Sequence, residues 1–219
     1  MMTRKLKYLL LALLFPLCLH AQEVQEDNTF GGWEFIEVYH DFGKSPLYAS
    51  IYFEHDNFQY RRLDNWYVRT TVGVKLPPWL KADVAYDFLK EPGIHSHRAL
   101  FNLTGTLTQG NLKASLRERY IHTWTPTDGT QGDVLRSMLK LQYDIPDSRF
   151  CPYVAIEVFT WKKWKKTRHY VACCYNFSRN VQMEAYYLYY TFNDRPAEHV
   201  LAIGLNFKIS NKPPGFYPG

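Results

Sequence analysis

Residues 112–120 read LKASLRERY, a stretch in which apolar and polar side chains alternate. Because successive side chains of a β-strand point to opposite sides, Leu112, Leu116 and Tyr120 share one face. Arg117 and Arg119 fall on the other face, and a helical spacing of 3.6 residues does not separate the two sets. The stretch therefore predicts a β-strand with one apolar face and one charged face.

The same division recurs along the chain, for example over 98–108, 134–143 and 199–209. Short reversals alternate with longer or charged segments: the first are 77–78, 109–111, 146–149 and 178–180, the second 90–97, 124–133, 161–166 and 192–197. Outer-membrane barrels combine short periplasmic turns with long outer loops. The pattern predicts an all-β, antiparallel up-and-down transmembrane β-barrel, with the 161–166 loop on the outside.

The N-terminus has the form of a secretory signal peptide. A basic start (Arg4 to Lys7) precedes an apolar run over 8–19 that is too short to cross a bilayer as a helix. We expect cleavage after Ala21, since no small residue precedes Cys18 as a lipoprotein signal would require. The predicted segments are a signal peptide (1–21), an outer-membrane barrel (22–209) and a Pro/Gly-rich C-terminal tail (210–219). The predicted location is the outer membrane of a Gram-negative bacterium.

Charge and aromatic content bear on the class of protein. Without the three basic residues of the signal peptide, 23 basic residues face 21 acidic ones, so no nucleic-acid partner is implied. Aromatic residues make up 17% of the chain and include seventeen tyrosines, as barrels with aromatic girdles at both lipid interfaces require. A soluble β-sandwich or lipocalin-like barrel also alternates. The signal peptide, the aromatic strand ends and the one-sided long loops favour the membrane barrel.

The number of strands is less clear than their existence. Eleven candidate strands lie between residues 33 and 209, whereas bacterial single-chain barrels have even numbers. Either residues 24–30 add a strand, giving twelve, or residues 33–40 lie inside or beneath the barrel, leaving ten; we favour twelve. Glu118 falls on the lipid-facing side by parity, which suggests a bulge or a position near the rim.

The order of several motifs resembles domain-of-unknown-function family 2490 (DUF2490), uncharacterised outer-membrane β-barrel proteins frequent in Bacteroidetes. The motifs are WLKADVAY at 79–86, RALFNL at 98–103, LRERY at 116–120, LRSMLKLQY at 135–143 and PYVAIEVF at 152–159. The resemblance runs from about Trp33 to Ile209. It implies a barrel in the outer membrane and brings no activity, ligand or catalytic residue.

The polar faces of the strands define a candidate site in the lumen. Its charge ladder consists of Arg69, Asp83, Arg98, Arg117, Arg119, Arg136, Lys140, Glu157, Arg168 and Glu184. A barrel of ten or twelve strands is little wider than one that its side chains fill, so these charges must pair. We therefore expect interlocking Arg–carboxylate pairs and a structural or envelope-related role. The alternative is a narrow channel or binding barrel for a small anionic solute, because three arginines of the ladder lie on neighbouring strands.

The densest charge run is a candidate lipid contact. It comprises Trp161, Lys162, Lys163, Trp164, Lys165 and Lys166, which we interpret as a lipid-interface anchor or a lipopolysaccharide contact. The expected partners are outer-membrane lipid, lipopolysaccharide and the barrel-insertion machinery, and the oligomeric state stays open.

The sequence gives only weak evidence for a catalytic or metal-binding site. Ser96 and His97 suggest a lipid-modifying hydrolase as a second alternative, but adjacent residues of a strand point apart and no group orients the base. Cys151, Cys173 and Cys174 lack the spacing of a metal site and are expected to be apolar fillers. We expect no enzyme, no metal and no cofactor.

Overall fold

The computed structural model describes residues 29–58, 62–161 and 163–210. The expected signal peptide and all but the first residue of the expected tail lie outside these ranges. The described chain is all β-structure in eleven strands. Their bounds are β1 (Thr29–Asp41), β2 (Leu47–Phe58), β3 (Arg62–Lys75), β4 (Leu80–Glu91), β5 (Ile94–Gln109), β6 (Leu112–Thr125), β7 (Thr130–Tyr143), β8 (Phe150–Trp161), β9 (Lys163–Asn176), β10 (Val181–Phe192) and β11 (Glu198–Ser210).

The strands form one closed barrel in which each strand pairs with its neighbours in sequence. All of these pairs are antiparallel, whereas β1 and β11, which close the barrel, are parallel, with Thr29 opposite Glu198 and Asp41 opposite Ser210. Parallel closure follows from the odd count, because the first and last of eleven alternating strands run in the same direction. The predicted barrel is confirmed, but twelve strands, and ten as the alternative, are wrong for the described residues.

Strand β1 explains why the count was difficult to predict. Residues 24–28 of the expected twelfth strand lie outside the described ranges, and Thr29 and Phe30 begin β1 instead. Residues 33–40 are part of the barrel wall, not a segment inside or beneath it. Glu34 faces outward, where it binds His55, and Glu37 faces inward. This strand carries polar side chains on both faces, so the alternation of apolar and polar residues does not identify it as part of the barrel wall.

The barrel has two ends, named here by the residues that mark them. The Thr29 rim holds the β4–β5, β6–β7 and β10–β11 connections, and the Ser210 rim holds the turns expected in the periplasm.

The expectation of long loops on one side is wrong, since β4 ends at Glu91 and β5 begins at Ile94. Only Pro92 and Gly93 separate them, and Gly93 adopts the positive φ of 78° that such a tight turn needs. The charged residues that the sequence pattern assigned to a loop over 90–97 lie mostly at the ends of β4 and β5, at the rim.

Exposure identifies the two faces of the wall. Leu107 is 71% exposed and Val84 is 58% exposed, whereas Leu188, which faces the lumen, is 0% exposed. Exposed aromatic residues lie near both rims, with Trp161 and Trp164 at the Thr29 rim and Trp79 and Phe150 at the Ser210 rim. An apolar outer band between aromatic rims is typical of membrane barrels. No helix in the described ranges is long and apolar enough to cross a bilayer.

The lumen is filled largely by aromatic side chains. Phe35 stacks between Tyr52 and Tyr186, with ring centroids 5.6 and 6.0 Å away. A Cβ on Gly204 would lie 2.4 Å from the Phe35 ring, so this glycine makes the space that the ring occupies. These packed rings surround the charged side chains of the lumen.

Candidate functional site

Two fully buried carboxylates organise the lumen, and the first is Asp87 on β4. Arg69 of β3 binds it through two parallel hydrogen bonds, Nε to Oδ1 at 2.7 Å and Nη2 to Oδ2 at 2.8 Å. Arg98 of β5 approaches Oδ2 within 2.8 Å from the other side. The registers of the neighbouring strands place Asp87 directly opposite both arginines. Asp87 is 0% exposed, so its charge depends on these two guanidinium groups in place of water.

The second carboxylate, Glu157 on β8, binds three arginines from three strands. Arg136 of β7 donates to both oxygens, at 3.1 and 2.8 Å, and Arg117 of β6 donates to Oε1 at 2.8 Å. Arg168 of β9 lies 3.5 Å from Oε2, which also accepts a hydrogen bond from the Tyr170 hydroxyl at 3.0 Å. Five guanidinium groups thus surround two carboxylates. We call these seven side chains the buried layer (Arg69, Asp87, Arg98, Arg117, Arg136, Glu157 and Arg168).

A chain of polar contacts extends from the buried layer toward the Ser210 rim. Arg119 donates to the amide oxygen of Asn102, and the Asn102 amide nitrogen donates to Asp83. Asp83 also accepts a hydrogen bond from the Tyr48 hydroxyl at 2.7 Å. Arg119 therefore binds a neutral amide where the other arginines bind carboxylates, which adds to the positive charge of the lumen.

A cavity of about 490 Å³ lies above the buried layer, on the side of the Thr29 rim. Six basic and four acidic side chains line it: Arg69, Arg98, Arg136, Lys166, Arg168, Arg195, Glu54, Asp56, Glu91 and Glu198. Its floor is made of the arginines that hold Asp87 and Glu157. We call it the vestibule.

Several donors in or beneath the vestibule have no acceptor among the described residues. The Nε groups of Arg98, Arg117 and Arg168 are buried and make no hydrogen bond there. Lys166 forms no ion pair in the described part of the chain; its ammonium lies 4.8 Å from the Phe159 ring centroid and 5.3 Å from that of Tyr190. Buried donors of this kind are uncommon because an unsatisfied polar group costs about 1–3 kcal/mol. The vestibule is thus rich in unused donors and positive charge.

The structure places all ten residues of the predicted charge ladder on the lumen side of the wall. Eight of them belong to the buried layer or to the chain that reaches Asp83. Lys140 lies 3.6 Å from the ring centroid of Tyr153, and Glu184 accepts a hydrogen bond from the Tyr153 hydroxyl. This second small cluster is nearer the Ser210 rim and separate from the vestibule.

Sequence reasoning did not find the aromatic residues of the lumen. Tyr52, Tyr67, Tyr170 and Tyr190 face inward, although the tyrosines suggested lipid-facing girdles. Their parity with the arginines is the signal that could have found them, since Tyr67 precedes Arg69 by two residues and Tyr170 follows Arg168 by two. Lumen tyrosines pack against guanidinium groups, as Tyr67 does at 5.2 Å from Arg69.

The Trp/Lys run is divided between the two faces. Trp161 and Trp164 are outward and exposed, and Lys165 is exposed beside a register shift at Thr160. Lys166 points into the vestibule, unlike the lipid contact that the sequence suggested for it. Lys162 and the side chain of Lys163 lie outside the described part.

The residues considered for catalysis or metal binding are not assembled into such a site. Ser96 is buried, 2.9 Å from the Thr125 hydroxyl, whereas His97 is 2.5 Å from the Tyr86 hydroxyl on the outer face. The described residues contain no group of three or more His, Cys, Asp or Glu side chains that could hold a metal ion.

Comparisons with known proteins agree with this architecture. The family described as "Protein of unknown function (DUF2490)" matches residues 30–200. No curated protein sequence matches the chain. Among solved structures, the NanC porin in a rhombohedral crystal form is 15% identical, with 83% of this chain and 99% of that chain covered and a TM-score of 0.55. The KdgM porin is 9% identical, with 72% and 81% covered and a TM-score of 0.47. The likeness to NanC extends to a porin-like barrel fold, and the family match confirms the predicted resemblance: the chain belongs to the DUF2490 family.

Proposed function

We propose that the protein is an outer-membrane barrel whose lumen is closed by the buried layer and whose vestibule binds a small anionic solute. The observation that carries this proposal is the excess of guanidinium groups: five of them share Asp87 and Glu157. Uncompensated buried charge costs several kcal/mol. An anion in the vestibule would compensate it and accept hydrogen bonds from the unused Nε groups of Arg98 and Arg168.

The membrane location is supported by the outer surface. The outward side chains of the strands are largely apolar between two aromatic rims, and the fold resembles that of a solved porin. A signal peptide at 1–21 would bring the chain to the outer membrane, where insertion machinery and lipopolysaccharide would be its partners. In that setting Trp161, Trp164 and Lys165 would contact lipid.

Binding rather than free passage is supported by the filling of the lumen. The buried layer takes one side chain from each of the seven strands β3 to β9, with Asp87 and Glu157 as its two separate centres.

 In order around the wall, the members of the buried layer are Arg69, Asp87, Arg98, Arg117, Arg136, Glu157 and Arg168. Tyr and Phe rings from β1, β2 and β10 fill the remaining side. A pocket of 300–1,000 Å³ suits a small molecule, and the vestibule is within that range.

The test uses Trp33, which lines the vestibule with the Arg168 guanidinium 5.0 Å from its ring centroid. The purified full chain is titrated with gluconate and, as a neutral match, with sorbitol, while tryptophan fluorescence is recorded. We expect a saturable change with gluconate alone, absent in Trp33→Phe. Lys166→Gln weakens the apparent affinity about tenfold, since one charge-assisted contact contributes about 1.5–3 kcal/mol.

The matched control is Lys165→Gln, because Lys165 is the exposed neighbour of Lys166. It should leave the titration unchanged. Equal responses to gluconate and sorbitol, or equal losses in the two lysine variants, would contradict an anion site in the vestibule.

A purely structural barrel is the second candidate, favoured by the complete burial of Asp87 and Glu157. In this case the buried layer only supports the wall, and no anion binds. A deletion strain would then be sensitive to detergent, and a Lys166→Gln gene would restore resistance fully. Failure of that variant to restore resistance, although it is inserted normally, would favour the binding role instead.

A further inference from the structure

The histidines of the barrel share one face. Seven histidines occur in the described ranges, and parity places every one on the outer face of the wall, while the lumen holds the buried arginines. Six of them lie toward the Thr29 rim, and His40 lies near the Ser210 rim. We call the six the imidazole belt: His55, His95, His97, His122, His169 and His199.

Four rings of the belt are held through the same nitrogen. The Nδ1 atom of His55 is 3.0 Å from the Glu34 carboxylate, and that of His122 is 2.9 Å from Asp133. The Nδ1 atoms of His97 and His199 contact the Tyr86 and Tyr187 hydroxyls.

No hydrogen bond of the four Nε2 atoms occurs in the part of the chain that the structure describes. A partner at Nδ1 fixes the orientation of an imidazole and the role of its second nitrogen. When the ring is protonated, Nε2 becomes an N–H donor for a group outside the barrel.

The charged groups that face the belt are few. They are Glu34 on β1, Asp133 on β7, Lys90 on β4, which pairs in register with His95, and Lys165, which is exposed on β9 at the same rim. The remaining neighbours are aromatic or apolar: Trp66 beside His55, Phe88 and Trp124 beside His97, Ala99 beside His122, Ile156 and Tyr189 beside His169, and Tyr189 and Phe30 beside His199. With neutral imidazoles, the two carboxylates and the two lysines balance. Protonation of the imidazoles makes the belt net positive.

We propose that the imidazole belt is a pH-dependent binding surface for the phosphate groups of anionic membrane lipids. The aromatic neighbours Trp66 and Trp124 are residues that anchor proteins at the level of lipid head groups. At that level Nε2–H groups meet phosphate oxygens, which accept charge-assisted hydrogen bonds. The inference rests on the membrane location proposed above, and it is independent of the vestibule.

The experiment measures lipid selectivity by electron paramagnetic resonance. The full chain is reconstituted in phosphatidylcholine vesicles with spin-labelled phosphatidylglycerol, whose phosphodiester keeps its charge, or with spin-labelled phosphatidylcholine. We expect the preference for phosphatidylglycerol to rise about fivefold between about pH 8 and about pH 5. The variant His55→Gln/His97→Gln/His122→Gln/His199→Gln loses about two thirds of the rise, and His40→Gln at the opposite rim keeps it in full.

A second variant tests the proposal independently if the first variant does not fold. His95→Gln/His169→Gln removes two imidazoles without a polar Nδ1 contact in the described structure, and it should reduce the rise by about a third. An unchanged rise in both variants, or no rise in the wild type, would overturn the proposal. Complete suppression by excess inorganic phosphate would also overturn it, since the belt would then take free phosphate instead of lipid. A spectrum without motionally restricted lipid at either pH would instead refute the membrane location.

Discussion

Replacement of Glu157 by Gln tests the buried layer most severely. The change keeps the shape of the side chain but removes the negative charge that three arginines share. Arg136 and Arg117 donate to Glu157 at 2.8–3.1 Å, and Glu157 is 0% exposed. An amide retains one acceptor oxygen and turns its second position into a donor facing Arg136. Breaking a buried charge pair costs about 3–5 kcal/mol, and we expect Glu157→Gln to fall in this range.

The assay is reversible urea unfolding of the protein in lipid vesicles, followed by tryptophan fluorescence and by the gel mobility of unheated samples. Glu118→Gln is the matched control, because Glu118 faces outward at the middle of β6 and accepts one hydrogen bond from Ser137 at 2.6 Å. The outward direction of Glu118 needs neither the bulge nor the rim position that the sequence suggested, since its strand pairs in regular register. The Ser137 hydroxyl is the only hydrogen-bond partner of its carboxylate among the described residues. We expect the control to change the free energy of unfolding by about 1 kcal/mol or less. Equal losses in the two variants would refute the argument that the buried layer carries the charge balance.

Two further predictions concern packing and the two faces of the wall. Gly204→Ala places a Cβ 2.4 Å from the Phe35 ring and should destabilise the barrel by about 1–3 kcal/mol, whereas Gly105→Ala meets nothing within 4 Å and should be nearly neutral in the same unfolding assay. Cys173 faces outward and Cys174 is 2% exposed in the lumen, so a membrane-soluble maleimide should modify Cys173 in a Cys174→Ala variant and leave Cys174 unmodified in a Cys173→Ala variant. Modification of Cys174 alone would reverse the assignment of faces.

The faces of the strands could be predicted because period-2 alternation depends only on local geometry. Leu116 and Arg117 point to opposite sides in any regular strand, whatever the rest of the barrel does. Membership of the DUF2490 family could also be predicted, since its motifs lie on such strands. Neither inference needs to know how the barrel closes.

The strand count and the outward direction of Trp164 depend on non-local geometry, and the sequence does not reveal them. Whether β11 meets β1 or a twelfth strand is a property of the closed barrel, and Glu34 obscures the parity of β1. A register shift between Phe159 and Thr160 leaves Lys165 as an extra residue and turns Trp164 outward, although Trp164 has the same parity as Lys166 and Arg168 in the lumen. The lumen tyrosines were ambiguous because an amphipathic ring suits a lipid interface and a polar interior equally well.

The conductance of the purified wild-type protein in a planar bilayer tests the central claim, a lumen closed by the buried layer. The account predicts that insertion, verified by protease protection of the reconstituted protein, produces no stepwise current. Well-resolved conductance steps from the wild type would contradict it, because an open pore cannot pass through a lumen that the buried layer and the aromatic side chains fill.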